Sequence, residues 1–234
     1  MAKLIIVTID GPAGAGKSTT ARRVAERLGY LYIDTGAMYR AVTLAALRSN
    51  IELDNQHLDV LVHEADIQLV YTPLGQRTIL NGEDVSEAIR HSDVTNKVSA
   101  VSALPAVRNI LVAKQREMGR GGGVVMDGRD IGSVVFPHAE VKIYLIAALE
   151  ERIRRRTTEM QRNGHALTED DVRHQIVERD EMDSQRATSP LVKPPDAIEV
   201  DTTSLAIDEQ VDRILEYVDK YHRTYDIIST YGNF

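Results

Sequence analysis

The residues most able to do chemistry stand together near the start of the chain. Ile9–Thr19, IDGPAGAGKST, sets Gly11, Gly14, Gly16 and Lys17 between the apolar run LIIVT and the charged run TARRVAERLG. Glycines at such a junction adopt backbone angles closed to other residues and let a ligand approach the main chain. A helix starting near Lys17 would aim unpaired N–H groups and its positive dipole end at that ligand, which favours an anion. The run Gly11-Pro12-Ala13-Gly14-Ala15-Gly16-Lys17-Ser18 fits G-x-x-x-x-G-K-[ST] and is followed by Thr19. In that pattern the backbone cradles phosphates, the lysine reaches the β- and γ-phosphates, and the hydroxyl, here of Ser18, holds Mg²⁺. The competing reading is a glycine-rich turn with an incidental lysine. A strand signal before it and a helix signal after it favour the phosphate loop.

Two more polar loops carry an arginine each, Asp34-Thr35-Gly36-Ala37-Met38-Tyr39-Arg40 and Asp127-Gly128-Arg129-Asp130. A guanidinium binds phosphate through a planar fork and keeps its charge at physiological pH. Taken singly, Arg40 and Arg129 could serve ordinary surface ion pairs. Their place after strand-like runs decides otherwise. Strands are expected at YLYID (30–34), GVVMDG (123–128), VKIYLI (141–146) and AIEVD (197–201), with helical segments between them. That alternation predicts an α/β fold, a parallel sheet with helices on both faces, and ligands beyond the carboxyl ends of its strands.

Two segments depart from the rhythm. Ile67 to Val85, IQLVYTPLGQRTILNGEDV, alternates around a PLG turn and an NGED turn and predicts a small antiparallel insertion. The charged run from Glu151 to Arg186 predicts two helices about a polar hinge, Asn163-Gly164-His165, which suits a lid. Leu205 to His222 predicts a helix with one face on the core. One unit is expected: a core at about 1–40, 98–148 and 188–222, an insertion at about 41–97, and a lid with flanking helices at about 149–187.

Composition narrows the function. A chain of 234 residues without cysteine has neither disulfides nor thiolate metal sites. Its apolar runs are too short to span a bilayer and Asp10 interrupts the first before a signal-peptide pattern develops, so a cytoplasmic protein is expected. A net charge of −7 argues against broad nucleic-acid binding, so phosphate contacts should be local. The histidines show no H-E-x-x-H spacing for a metal centre.

The segments GPAGAGKST, DTGAMYR, VSALPAVR, DGRDIGSVVFP and ERDEMDSQRATSPL together resemble the bacterial cytidylate kinases, from about Ile5 to Leu215. The insertion between Ile67 and Val85 is similar to the extended nucleotide-binding insert of the bacterial type. This resemblance implies a P-loop NTPase fold and phosphorylation of CMP and dCMP by ATP with Mg²⁺; a monomer is expected. Carried over by position, it puts Arg40, Arg129 and Arg186 on the acceptor phosphate, Ser99, Arg108 and Asp130 on cytosine, and Arg179 and Asp183 near the sugar. Arg155 and Arg156 match lid arginines, and Thr35 stands in the acceptor loop where serine is common. The tail YHRTYDIISTYGNF has no counterpart.

Chemistry agrees with the base assignment. Cytosine offers an amino donor at N4 and acceptors at N3 and O2, so a carboxylate beside a guanidinium and a hydroxyl would match it. Transfer to a phosphate acceptor needs alignment and charge neutralisation rather than a general base. Lys17, Arg129, Arg155 and Arg156 are the groups expected to steady the moving phosphoryl, and Asp127 to orient waters on the metal. Two rivals remain at this level. A kinase for another small acceptor, a different nucleotide or shikimate, would share the loop and lid. A nucleotide-dependent switch or ATPase would keep the loop alone, yet the Asn96-Lys97 pair lacks the aspartate of a guanine-reading N-K-x-D and Asp127 is followed by glycine.

Overall fold

The structure is a computed structural model and describes residues 3–72, 75–162 and 168–231. Five parallel strands form its centre, β1 (Ile6–Asp10), β2 (Leu31–Asp34), β6 (Val124–Asp127), β7 (Val141–Ile146) and β8 (Ile198–Asp201), in the order β2-β6-β1-β7-β8. All four expected strand regions after the first are strands, each within a residue or two of its expected ends. β1 therefore lies in the middle, and the loop that follows it opens between β6 and β7, where strand order reverses. The interior strands are mostly apolar on both faces, as expected where helices cover both, with Thr8 and Lys142 as buried polar exceptions away from the strand ends.

Helix α1 (Lys17–Leu28) follows the phosphate-type loop and ends at Gly29 in the left-handed conformation. With the last helix, α9 (Ile207–Tyr231), it covers one face through Val24, Val211, Ile214 and Val218. Helix α6 (Pro105–Gly119), with Pro105 at its first position, covers the other. Helix α2 (Thr35–Ser49) starts directly at the end of β2, with the Asp34 carboxylate capping Ala37 N–H at 2.9 Å. Helix α3 (Asn55–Glu64) leads to the antiparallel sheet of β3 (Ile67–Thr72), β4 (Gly75–Leu80) and β5 (Glu83–Asp84). The NGED turn is there: Asn81 and Gly82 both take positive φ, the pairing that closes a tight hairpin. Pro73 and Leu74 of the PLG turn lie outside the described residues, as does the expected hinge Asn163-Gly164-His165. Short helices α4 (Ser92–Thr95) and α5 (Val98–Ala103) return the chain to the cleft.

Helices α7 (Leu149–Arg162) and α8 (Glu169–Gln185) flank that hinge position. Two expectations need correction. The charged run was expected to stay helical to Arg186, but α8 ends at Gln185 and Arg186 is extended. The chain turns back there, with Ser189 at positive φ and Leu191 N–H bonded to the Asp183 carbonyl at 2.8 Å, so Arg186 is carried beneath the helix end. The last helix was to stop at His222. It continues to Tyr231, since no glycine or proline interrupts the run before Gly232.

Candidate active site

A cleft of about 940 Å³ opens at the carboxyl ends of β1, β2 and β6. Ala13, Gly14, Gly16, Lys17, Ser18 and Thr19 line one side of it. The loop is held close to the sheet at its entry: a Cβ on Gly11, whose φ is +143°, would collide with the Leu145 carbonyl oxygen. Side chains brace it from outside. Thr202 donates to Ala15 O at 3.1 Å, and Gln210 accepts from Thr20 Oγ1 at 2.8 Å. Ala13 is gripped at both backbone groups, its N–H by Asp180 at 3.0 Å and its carbonyl by Arg152 Nη1 at 3.1 Å. Pro12 contributes its carbonyl, which accepts from Lys17 Nζ at 2.6 Å. No carboxylate of the described residues makes a salt bridge with Lys17. Burial and then Arg129 push its ammonium well below the usual range, so an anion brought there would be strongly held.

Ser18 donates to Asp127 Oδ2 at 2.8 Å, and Tyr32 donates to Asp127 Oδ1 at 2.8 Å. Asp127 stands opposite Asp34 across the β2–β6 register, and burial, with Asp34 next, pushes it up to about 6. Thr35 donates to the Asp127 carbonyl at 2.7 Å, so its hydroxyl anchors this strand end. A hydroxyl and a carboxylate side by side are the hard oxygen donors that Mg²⁺ takes, and the pair fits such an ion.

Arginines supply the opposite wall. Arg40, Arg129, Arg156 and Arg179 line the cleft. Arg40 Nη2 is bonded to Asp34 at 3.0 Å and Arg129 Nε to Asp183 at 2.8 Å. Arg40 Nε and Arg179 Nε are buried and unpartnered. Burial first and Arg129 second disfavour the Arg179 charge, which makes it a receiver for anions rather than a paired surface group. Burial opposes the Asp183 charge too, but Arg129 and Arg179 together hold its carboxyl below the ordinary range.

Ser99 reaches the cleft, with Arg108 and Asp130 buried behind it at 2% and 4% exposure. Arg108 Nη2 pairs with Asp130 Oδ2, its Nε donates to Ser189 Oγ at 3.2 Å, and Arg186 Nη2 lies 3.5 Å from Asp130 Oδ1. Arg108, Asp130 and Arg186, from three distant segments, thus form one buried group outside the cleft lining, joined to Ser99 through Ser102, which accepts from Arg108 at its carbonyl and donates to the Ser99 carbonyl. Arg156 is bonded to Glu159 at 2.8 Å at the cleft's edge. Arg155 does not line the cleft; it bonds Glu151 at 2.7 Å and Thr202 Oγ1 at 3.1 Å, bracing the loop from behind. Sequence reasoning missed Arg152, Asp180 and Tyr32. The first two touch only backbone and each other across the chain, which leaves no pattern, and Tyr32 reads simply as a strand residue.

The cytidylate kinase family model matches residues 7–220. The chain belongs to the cytidylate kinase family. Among its relatives, the cytidylate kinase of Anoxybacillus flavithermus is 55% identical over 216 residues, covering 92% of this chain and 96% of that protein. That of Bacillus subtilis is 50% identical over 224 residues, covering 95% and 100%. Among solved structures, a gluconokinase from Sinorhizobium meliloti 1021 aligns with a TM-score of 0.51 at 16% identity over 98% of this chain and 99% of that one, a likeness of fold. Family membership and the parallel sheet with its phosphate loop make this a P-loop kinase and a phosphotransferase. The family match stops at residue 220, so the last turns of α9 lie beyond it.

Proposed function

We propose that this chain transfers the γ-phosphoryl group of ATP to the phosphate of CMP and dCMP. One observation carries the reading: beside Lys17, six arginines from six separate segments, Arg22, Arg40, Arg90, Arg129, Arg156 and Arg179, line the same cleft, and Arg40 and Arg179 have buried, unpartnered Nε atoms. A surface built for solvent would leave those donors wet; one built for a phosphorylated acceptor points them inward.

In this reading the backbone of Gly11–Thr19 holds the donor phosphates and Lys17 neutralises charge on them. Ser18 and Asp127 would hold Mg²⁺, and that ion would supply charge withdrawal from the donor phosphates. Arg40, Arg129 and Arg186 fix the acceptor phosphate in line, so that alignment replaces proton chemistry. Asp130, oriented by Arg108 and Arg186, accepts from cytosine N4, while Ser99 and Arg108 serve N3 and O2. Uracil would face that carboxylate with a carbonyl oxygen. Asp183 and Arg179 lie toward the sugar. Segment 149–187 acts as a lid whose closure brings Arg156 to the transferred group and excludes water. Arg155 supports the loop through Thr202. We read the enzyme as a cytoplasmic monomer. No helix of the described residues is long and apolar enough to cross a membrane.

A coupled assay of ADP formation with CMP, dCMP, UMP, AMP and shikimate tests this directly. CMP and dCMP should be turned over with the highest specificity constants. Equal constants for UMP or AMP, or ADP release that ignores the acceptor, would refute the proposal.

A further inference from the structure

We infer that Asp10 is a positioning residue that ties the donor loop to the acceptor loop and so sets the place of Arg129 and Asp130; this rests on the acceptor reading above. Asp10 ends β1, directly before Gly11, and is 2% exposed. It does not line the cleft. Its Oδ1 accepts from Ile131 N–H at 2.9 Å and its Oδ2 from Gly132 N–H at 2.7 Å. Those two donors open the wide turn Ile131–Val135, which begins immediately after Arg129 and Asp130. Within it Val135 N–H reaches the Asp130 carbonyl at 3.2 Å and Phe136 N–H the Ile131 carbonyl at 2.7 Å. Moving Ile131 therefore moves Asp130 with it.

Gly132 gives an independent sign of how tightly this turn is seated. A Cβ there would lie 2.8 Å from Thr8 Oγ1 and 3.4 Å from Asp10 Oδ2, so the turn is pressed onto β1 to a depth that a side chain would prevent. Keeping a carboxylate at this depth is expensive. Burial pushes Asp10 up to about 7 against the pull of the two N–H groups, with Asp130 adding to the rise and Lys17 opposing it. Tyr144 is the other titratable group that feels its charge. A position that only filled space would carry an apolar residue at less cost. The carboxylate is explained by what it holds: two rigid acceptors on one short side chain fix the distance between the strand that feeds the phosphate loop and the loop that carries the acceptor arginine.

The test compares Asp10→Asn, Gly132→Ala and Arg129→Ala with the parent enzyme, measuring KM for CMP, kcat, ATP dissociation constant and the CMP/UMP ratio. Asp10→Asn removes one of two acceptors and should raise KM for CMP about tenfold. ATP affinity should stay within about twofold, and CMP/UMP discrimination should narrow. Gly132→Ala lifts the same turn with Asp10 intact and should move KM the same way; if Asp10→Asn does not fold, this variant decides alone. A lower kcat with unchanged KM for CMP, or an equal loss of ATP affinity, would mean a merely structural role and overturn the inference. Should Arg129→Ala raise KM while both other variants leave it alone, the inference fails and the acceptor reading stands. An unchanged KM in Arg129→Ala removes the acceptor reading and this inference together.

Discussion

The two walls of the cleft are built from different materials. On the donor side the lining is one continuous stretch of chain, from Ala13 to Thr19, with Lys17 as its main charged side chain and braces from Thr202, Asp180 and Arg152 behind it. On the acceptor side the work falls to side chains that also hold one another: Arg129 with Asp183, Arg40 with Asp34, and Arg108 and Arg186 with Asp130. A backbone wall can lose a side chain and keep its shape. In a wall of mutually paired charges, removing one leaves another buried and alone, so function and stability fall together.

The largest effect should come from the donor wall. Lys17→Met removes the charge wanted at the phosphates and no carboxylate partner, so turnover should drop at least about a hundredfold. Thermal unfolding should shift little, because among the described residues the Lys17 ammonium hydrogen-bonds the Pro12 carbonyl and no side chain. Steady-state kinetics with calorimetry checks both halves; near-normal turnover in a folded variant would break the donor side of the contrast.

Asp130→Asn is the matching change on the acceptor wall. It takes the charged partner from Arg108, itself 2% exposed, and the specificity constant for CMP should fall about ten- to a hundredfold, the scale of a lost charged hydrogen bond. UMP should suffer less, narrowing the gap. Unlike Lys17→Met, this variant should also melt clearly lower. Equal losses for both nucleotides would show that Asp130 serves the fold without reading the base.

That contrast also explains what could be read ahead of the structure. The donor wall is contiguous, so Gly11 to Thr19 announced its chemistry through spacing between a strand and a helix. Strand positions were legible because buried parallel strands are short, apolar and β-branched. The acceptor wall and the buried group behind it draw on segments as far apart as Arg40 and Arg186, which no local pattern links; the resemblance to a family supplied those positions. Asp10 was visible only as a break in an apolar run, since its partners, the N–H groups of Ile131 and Gly132, carry no side-chain signature. Arg186 reads as the last residue of a helical run because composition cannot show a chain reversal set by Ser189 and Leu191.

A smaller effect distinguishes the sugar from the phosphate. Asp183 is buried against Arg129 rather than lying on a solvated helix face. If its second oxygen accepts from the 2′-hydroxyl, Asp183→Ala should change the CMP/dCMP ratio of specificity constants several-fold, as one hydrogen bond does. Arg186→Ala should lower both substrates by a common factor, since both carry the phosphate. A ratio that holds steady in Asp183→Ala would reduce Asp183 to the partner of Arg129.

The smallest effect concerns the cost of keeping the metal-type pair at the junction of the two walls. Asp127 is pushed up to about 6 from an ordinary 3.8, first by burial and then by Asp34 across the register. For an acid whose pKa is higher in the folded state, the fold binds more protons than the unfolded chain between those values. Ionised Asp127 therefore weakens the fold above pH about 6, and the penalty is relieved as pH falls toward 3.8. Asn at this position keeps one acceptor, and the hydroxyls of Ser18 and Tyr32 can turn to suit its amide. Asp127→Asn should accordingly melt above the parent at pH 8, by about 2–4 °C for each kcal/mol relieved in a chain of this size. The gap should close as pH falls from about 6 toward 4, while phosphoryl transfer is impaired across the range. Melting curves of ligand-free protein from pH 4 to 8 would measure it. A parent that melts higher at pH 8, or a gap that widens in acid, would mean that Asp127 stabilises the strand end as a carboxylate, and the division between a wall that serves the fold and a wall that taxes it would have to be drawn elsewhere.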